Sequence, residues 1–172
     1  MKLVLVQSSG TLPVSLDEAK AYMRVVHDKE DGLIESFIKA AVDRAEQITG
    51  RALSFKRYEL YADGCGELSL PYPPLRSVVS VEAKDGSAVD YEIDDKATPA
   101  VIYPQCECSE RNCLKVVYEC GYDVVPEAIK QWILVQVATM YENRQLFLDA
   151  NLKEPPRNFV DHLLDSYIVR QI

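Results

Sequence analysis

Helix-forming and strand-forming segments are segregated along this chain, and their order constrains the fold more than any other feature. Apolar residues recur at spacings of three and four near both ends, whereas the middle alternates apolar and polar residues as strands do. Segregation of this kind favours an α+β fold over a parallel sheet of βαβ units. It predicts a single domain over 1–172, with a helical core of about four helices from 14–51 and 124–170 and an antiparallel β module inserted at 52–123.

The N-terminal helices are marked by boundary signals. Ser15 followed by Glu18 forms a capping-box pattern, in which each residue's side chain satisfies the other's backbone N–H, and predicts a helix over 15–26. The clearest helical pattern covers 31–49 and stops before Gly50, a residue typical of helix C-termini.

Two further helices are predicted near the end of the chain, over 125–145 and 157–169. Pro126 suits the first helical position, where its missing N–H costs nothing. Both segments carry a broad apolar face and therefore complete the helical core.

Turn signals divide the central block into strands. Asp85-Gly86 lies between two alternating runs and predicts a hairpin. A second hairpin is predicted between 100–104 and 114–119, with the intervening cysteine-containing segment as its loop. The N-terminal run "LVLV" at 3–6 predicts an edge strand or an arm that packs on another surface.

Composition excludes two classes of protein. The net charge is −8, and the densest basic group, Arg51, Lys56 and Arg57, is interrupted by apolar residues, so tight DNA binding by the chain alone is not expected. An acidic surface suits a protein past which DNA slides without sticking. The apolar runs are too short for a membrane-spanning helix or a secretory signal, which predicts a cytosolic protein with no membrane partner.

The segment "PQCECSERNC" at 104–113 raises the question of a metal site. A closed zinc site needs four converging ligands, but a strand of seven steps would separate Cys113 and Cys120 by about 23 Å. Cys106, Cys108 and Cys113 remain as three weak candidate ligands. A metal site, a disulfide or redox pair across the hairpin mouth, and a turn with unmodified thiols all stay open. Five cysteines are an odd number, which argues against a complete disulfide framework, and Cys65 is expected to be an ordinary loop residue.

No catalytic constellation is recognisable. His27 and His162 have no Cys, Asp or Ser at a spacing that builds a triad or a metal pair. A magnesium-dependent hydrolase would need clustered Glu pairs on facing helices, and Glu127 and Glu142 are too far apart in sequence to form one. The sequence therefore predicts no catalytic residues, no cofactor, and no metal site beyond the three weak candidate ligands.

Several large or rigid residues are candidates for subunit contacts. Aromatic residues are enriched at protein interfaces, although a tryptophan also packs in cores and a proline corner also stiffens a turn. The candidates are Leu33, Phe37, Pro73, Pro74, Trp132 and Tyr141.

Three stretches together have a familiar order and spacing. "VSLDEAKAYMRVVHDKEDGLIESFIKAAVDRAEQITGR" (14–51) combines a capped helix, an acidic joint and a long helix, and "LPYPPLRSVVSVEAKDG" (70–86) is a proline corner leading into a strand. "VVYECGYDVVPEAIKQWILVQVATMYENR" (116–144) joins a strand, a Gly-Tyr turn and a proline-started helix, and "LLDSYIV" closes the pattern. The chain thereby resembles the gp6-like head–tail connector (adaptor) proteins of tailed bacteriophages, some of them labelled DNA-packaging proteins.

The resemblance implies a structural role. Such proteins form a ring of about a dozen subunits below the portal protein, extend the DNA channel and present a platform to a tail-completion or stopper protein. DNA would pass without sequence-specific binding. The chain would belong to the virion, and to the host cytoplasm before assembly. The cysteine segment departs from the family pattern and could mark a contact of this protein's own. An alternative is a metal- or thiol-dependent binding protein that uses Cys106, Cys108 and Cys113.

Overall fold

The structure, a computed structural model, describes residues 1–106, 110–143 and 157–169. These residues fall into two compact units. Among the described residues, the β unit contains those of Met1–Thr11 and Gly50–Asp123 together with Val169, and the helical unit contains those of Leu12–Thr49 and Val124–Ile168. That the two units belong to a single domain stays a prediction from the sequence.

The helical unit draws its helices from both ends of the chain. The described residues form α1 (Leu16–Met23), α2 (Asp31–Thr49), α3 (Glu127–Glu142) and α4 (Arg157–Asp165). α2 and α3 pack on each other, and α1 and α4 each contact both of them. The apolar stripes meet in an interior that contains Ile34, Ile38, Ala45, Ile129, Ile133, Val137 and Leu164. Together with the antiparallel sheets of the β unit, these helices confirm the α+β class.

Local signals set the ends of the first two helices. The capping box forms: the Glu18 backbone N–H donates to Ser15 Oγ, and the Ser15 N–H donates to the Glu18 carboxylate at 2.8 Å. α1 ends at Met23, earlier than expected, because Arg24 turns into the left-handed region with φ 58°. Val26 consequently lies outside the helix and is 95% exposed. Gly50, at φ 66°, follows the last residue of α2 as predicted.

The later helices are shorter than expected. α3 begins at Glu127, so that Pro126 is the capping residue in extended geometry rather than the first helical residue. α4 ends at Asp165, before the expected end at 169. The last part of the helix predicted over 125–145 lies outside the described residues.

The β unit contains two antiparallel sheets. The described strands are β1 (Lys2–Ser8), β2 (Lys56–Ala62), β3 (Leu68–Ser69), β4 (Leu75–Ala83), β5 (Tyr91–Asp94), β6 (Val101–Pro104) and β7 (Leu114–Cys120). One sheet has the order β1-β2-β7-β4, and the other has the order β3-β6-β5. The N-terminal run thus forms an edge strand, as one of the two expectations for it had predicted, and the β unit extends beyond the insertion at 52–123.

Alternation along the strands builds the β-unit core. Every second residue of β7, beginning with Leu114, is buried, and the residues between them are half-buried. The buried set includes Tyr58, Leu60, Leu70, Val81, Ile102, Val116 and Tyr118. Since full burial of a large apolar side chain is worth about 1.5–3 kcal/mol, this cluster stabilises both sheets.

The first of the two predicted hairpins forms only near its turn. The turn at Asp85-Gly86 forms, with Gly86 at φ 84° and the Ala83 N–H donating to the Ser87 carbonyl. The returning chain pairs with β4 only around Ala88 and Val89, and β5 then joins the other sheet.

The second predicted hairpin is wrong. β6 pairs with β3 and β5, whereas β7 pairs with β2 and β4. Local alternation shows that both segments are strands, but their partners depend on which apolar faces pack together in the folded chain. None of the helices in the described residues is long and apolar enough to cross a membrane.

Candidate interaction surfaces

The four-stranded sheet has two edges that carry exposed apolar side chains. Among the described residues, β1 pairs only with β2 at one edge, and β4 pairs only with β7 over its first part at the other. Leu5 and Val6 of β1 are 50% and 52% exposed, and Val79 of β4 is 51% exposed. Long apolar edge strands are templates for pairing with another chain.

Both edges also bear irregularities. The register shifts between Leu5 and Gln7, which leaves Val6 as an extra residue, and it shifts again between Val78 and Ser80 around Val79. Bulges of this kind re-aim side chains at sheet edges and interrupt pairing. Here each bulge presents a half-exposed valine, so neither edge is shielded by a charged residue at that point.

The outer face of the same sheet is polar. Residues that pair across neighbouring strands lie on the same face of the sheet. Glu59 pairs with Val117, and the next pair on this face is Tyr61 and Lys115. Lys115 Nζ lies 3.0 Å from Glu59, and the Tyr61 hydroxyl donates to the same carboxylate at 2.7 Å. The hydrogen bond from Tyr61, followed by that from Lys115, lowers the pKa of Glu59.

A second ion pair crosses this face. The Arg57 guanidinium donates to Glu119 Oε1 at 3.1 and 2.5 Å, and Ser77 Oγ donates to Oε2 at 3.1 Å. The bonds from Arg57, and then that from Ser77, hold the pKa of Glu119 below its usual value. The face is therefore held by cross-strand ion pairs rather than by apolar packing.

A cleft of about 340 Å³ lies on the β unit and is lined in part by Lys2, Lys84 and Lys115. Two of these cations are already paired in the described residues: Lys84 lies 2.9 Å from Glu110, and Lys115 contacts Glu59. Because the positive charge is largely compensated, the cleft does not form a strong anion site.

Cys106 takes part in a disulfide, but its partner lies outside the segment 104–113. Cys106 forms a disulfide with Cys65, which joins the loop after β2 to the end of β6. Cys65 is therefore not the ordinary loop residue that we expected. A disulfide sulfur is not a thiolate, so this bond removes Cys106 from the candidate metal ligands.

Cys113 and Cys108 are the other two candidate metal ligands. Cys113 is 4% exposed, and its sulfur accepts a hydrogen bond from the Gly64 N–H at 3.2 Å. Cys108 lies outside the described residues. Within the described ranges, no group of three or more metal-ligating side chains converges on one point.

The predicted interface residues divide by exposure. Leu33 on α2 is 38% exposed and Phe37 is half-buried. Tyr141 on α3 is half-buried and donates its hydroxyl to Glu30 at 2.6 Å. These residues, with the half-buried Pro74, stay candidates for contacts with other subunits.

Trp132 and Pro73 are buried within the chain and form no part of its exposed surface. Trp132 is 2% exposed, and its indole N–H has no hydrogen-bond partner among the described residues. Trp132 therefore packs in the interior, which is the core role that the sequence also allowed for it. The sheet-edge residues Leu5, Val6 and Val79 were missed as interface candidates, although the run "LVLV" had predicted an edge strand.

One family model matches part of the sequence. Residues 13–90 match the model of the phage gp6-like head–tail connector proteins. This region contains the first two of the three stretches that carry the resemblance, and the third lies beyond it. No curated protein sequence matches the chain.

Solved structures resemble the whole chain. A protein in the neck of an empty gene transfer agent (GTA) particle, computed with C6 symmetry, superposes with a TM-score of 0.77 at 17% identity. A protein in the virion of a native GTA particle gives 0.73 at 16% identity, and one in the native neck computed with C12 symmetry gives 0.70 at 18% identity. Each match covers 100% of this chain and 97% of the other.

These matches establish a shared fold that extends beyond the region of the family model. The capped helix pair and the proline corner lie inside the matched region, and the C-terminal helices lie inside the shared fold. Over residues 13–90 the chain is similar to the phage gp6-like head–tail connector proteins, the family that its sequence motifs indicate.

Proposed function

We propose that this chain is a head–tail connector (adaptor) subunit of a tailed phage, a prophage or a related particle. Copies of it form a ring that joins capsid to tail, with the portal protein on one side and a tail-completion or stopper protein on the other. DNA passes through the ring without sequence-specific binding. The chain acts by assembly and turns over no substrate.

The observation that carries this proposal is the family match over residues 13–90 within a fold shared along the whole chain. The similar proteins come from particle necks that were computed with C6 and C12 symmetry. A cyclic ring requires two different complementary patches on each subunit. The β unit offers its two sheet edges, and the helical unit offers the exposed apolar residues near Leu33.

Electrostatics favour passage of DNA rather than capture. The chain carries a net charge of −8, and the cations that line its cleft are largely compensated. An acidic wall repels phosphates at close range and keeps the nucleic acid mobile.

No observation favours the metal- or thiol-dependent alternative. Its proposed ligand Cys106 is engaged with Cys65. The described residues contain no cluster of metal-ligating side chains that could replace it.

The direct test is to locate the chain in purified particles. Cryo-electron microscopy of the neck should show this fold as a cyclic ring adjoining the portal. Deletion of the gene should leave DNA-filled capsids and separate tails. Complete particles without the chain, or a purified chain that turns over a substrate, would contradict the proposal.

A surface substitution tests the helical patch. Leu33→Asp should reduce the joining of capsids to tails, because it places a charge on an apolar contact. Ser36→Asp is the matched control, since Ser36 is an exposed residue of the same helix. Equal joining by both variants would remove Leu33 from the interface while leaving the connector function intact.

A further inference from the structure

We propose that the four-stranded sheets of adjacent copies join edge to edge, with β4 of one copy pairing antiparallel with β1 of the next. This proposal rests on the proposed function, because it identifies the contact that closes the ring. The partner of each edge is a second copy of this chain.

Strand direction supports the pairing. All neighbouring strands of the sheet are antiparallel, and their order is β1-β2-β7-β4. With an even number of strands, the two edge strands run in opposite directions. A copy rotated about an axis parallel to the strands therefore brings its β1 beside β4 in antiparallel orientation, and the alternation continues across the contact.

The register of the sheet indicates which residues would meet. Ser8 and Leu75 lie at one end of the sheet, and Lys2 and Glu82 lie at the other, because each pair is joined through β2 and β7. If the next copy is rotated but not shifted along the axis, residues 4–8 of its β1 lie beside residues 75–80 of β4 in the first copy. That part of β4 precedes the short pairing with Ala88 and Val89, so its outer side is open among the described residues.

The two edges complement each other in apolar character. Leu5, Val6 and Val79 are each about half exposed and lie within the stretches that would meet. Pairing would remove these side chains from water and satisfy backbone groups that the isolated edges leave to solvent.

The edges also complement each other in charge. Lys2 is the one charged residue of β1 and forms no ion pair among the described residues. At the same level, the β4 edge carries Glu82. This match favours one register, with Lys2 at the acidic end of the neighbouring edge.

A second copy fits these edges better than an unrelated partner. Each copy carries both halves of the contact, and the halves are different, which is the arrangement that produces a closed ring rather than an isolated dimer.

Cysteine cross-linking in assembled particles tests the contact. Adjacent residues in paired strands are about 4.5–5.5 Å apart between Cα atoms, within reach of a disulfide. The chain would carry Val79→Cys together with either Leu5→Cys or Val6→Cys, since Val6 and Val79 both lie in bulges, where the regular alternation of the strands does not say which β1 residue meets Val79. One of the two double variants should give a ladder of covalent oligomers on non-reducing gels, extending to the full ring.

The single variants provide the control, because the contact joins two different edges. Val79→Cys alone should give no ladder, and a mixture of the two single variants should stop at dimers. A ring that is visible in the neck but gives no ladder with either double variant would overturn the edge contact and leave the connector function standing. A chain that is absent from the neck would overturn both, and a cross-link to a different protein would assign the edge to that partner instead.

A charged substitution gives an independent measurement. Val79→Lys should reduce ring formation at least tenfold, whereas Val26→Lys, at a residue that is 95% exposed and outside the sheet, should not. Thermal unfolding of both purified variants verifies that they are folded. Normal rings from a folded Val79→Lys chain would overturn the proposal.

Discussion

Gly121 lies so close to Ser54 that no other residue fits at its position. A Cβ added to Gly121 would lie 2.1 Å from the Ser54 carbonyl oxygen, and the glycine has φ 114°, which side-chain-bearing residues rarely adopt. Its N–H donates to the Pro74 carbonyl at 2.9 Å, and its own carbonyl accepts from Arg76 Nε at 2.8 Å. The Gly-Tyr turn after β7 is thus fixed against both the loop before β2 and the proline corner.

We expect Gly121→Ala to lower the free energy of unfolding by about 3 kcal/mol or more, since backbone strain and overlap with backbone atoms add together. Urea denaturation monitored by circular dichroism measures this change. Gly66→Ala is the control, because a Cβ there meets no atom within 4 Å. A Gly121→Ala chain as stable as the control would contradict the close approach.

The disulfide between Cys65 and Cys106 should stabilise the β unit. It closes a loop with a sequence separation of 41 residues. Removing a disulfide that closes a loop of this size typically costs about 2–4 kcal/mol, so Cys65→Ser should lower the free energy of unfolding by a similar amount under oxidising conditions. Peptide mapping without reduction checks the pairing directly, and recovery of Cys65 and Cys106 as separate thiols would contradict it.

The ion pair of Arg57 and Glu119 should make stability depend on pH in the acidic range. Hydrogen bonds from Arg57 and then Ser77 lower the pKa of Glu119 in the folded chain. A lowered carboxyl pKa contributes stability above the unfolded value, near 4.5, and this contribution is lost as pH falls through the folded value. The stability difference between wild type and Glu119→Gln should therefore be largest near neutral pH and shrink below pH of about 4.

Chemical denaturation at a series of pH values measures that difference. The matched control is Glu67→Gln, at an exposed residue that forms no ion pair among those the structure describes. If the two variants showed the same pH dependence, the Arg57 contact would have no energetic role.

Ser15→Ala should destabilise the helical unit by about 1 kcal/mol, because it leaves the Glu18 N–H without its capping partner at the start of α1. Thermal unfolding measures this loss. Ser36→Ala is the control, since Ser36 lies inside α2 and donates to the Leu33 carbonyl one turn earlier. A larger loss at Ser36 than at Ser15 would show that the cap contributes little.

Features that depend only on neighbouring residues could be predicted from the sequence. The capping box of Ser15 and Glu18, the extent of α2 and the turn at Asp85-Gly86 follow from short-range hydrogen bonding, periodicity and backbone preference, and each is found in the structure. The α+β class follows from the order of these local patterns, and so does the resemblance to connector proteins, because a family motif is itself a local arrangement of residues.

Contacts between distant segments could not be predicted and are known only from the folded chain. β6 and β7 alternate in the same way, yet they entered different sheets, and the partner of Cys106 proved to be Cys65, 41 residues away. Strand pairing and sulfur contact depend on how apolar faces from remote parts of the chain fill one core, and alternation within a single segment carries no information about its partner. The same reason explains why the two open edges, at β1 and β4, became visible only when the order of the strands was known.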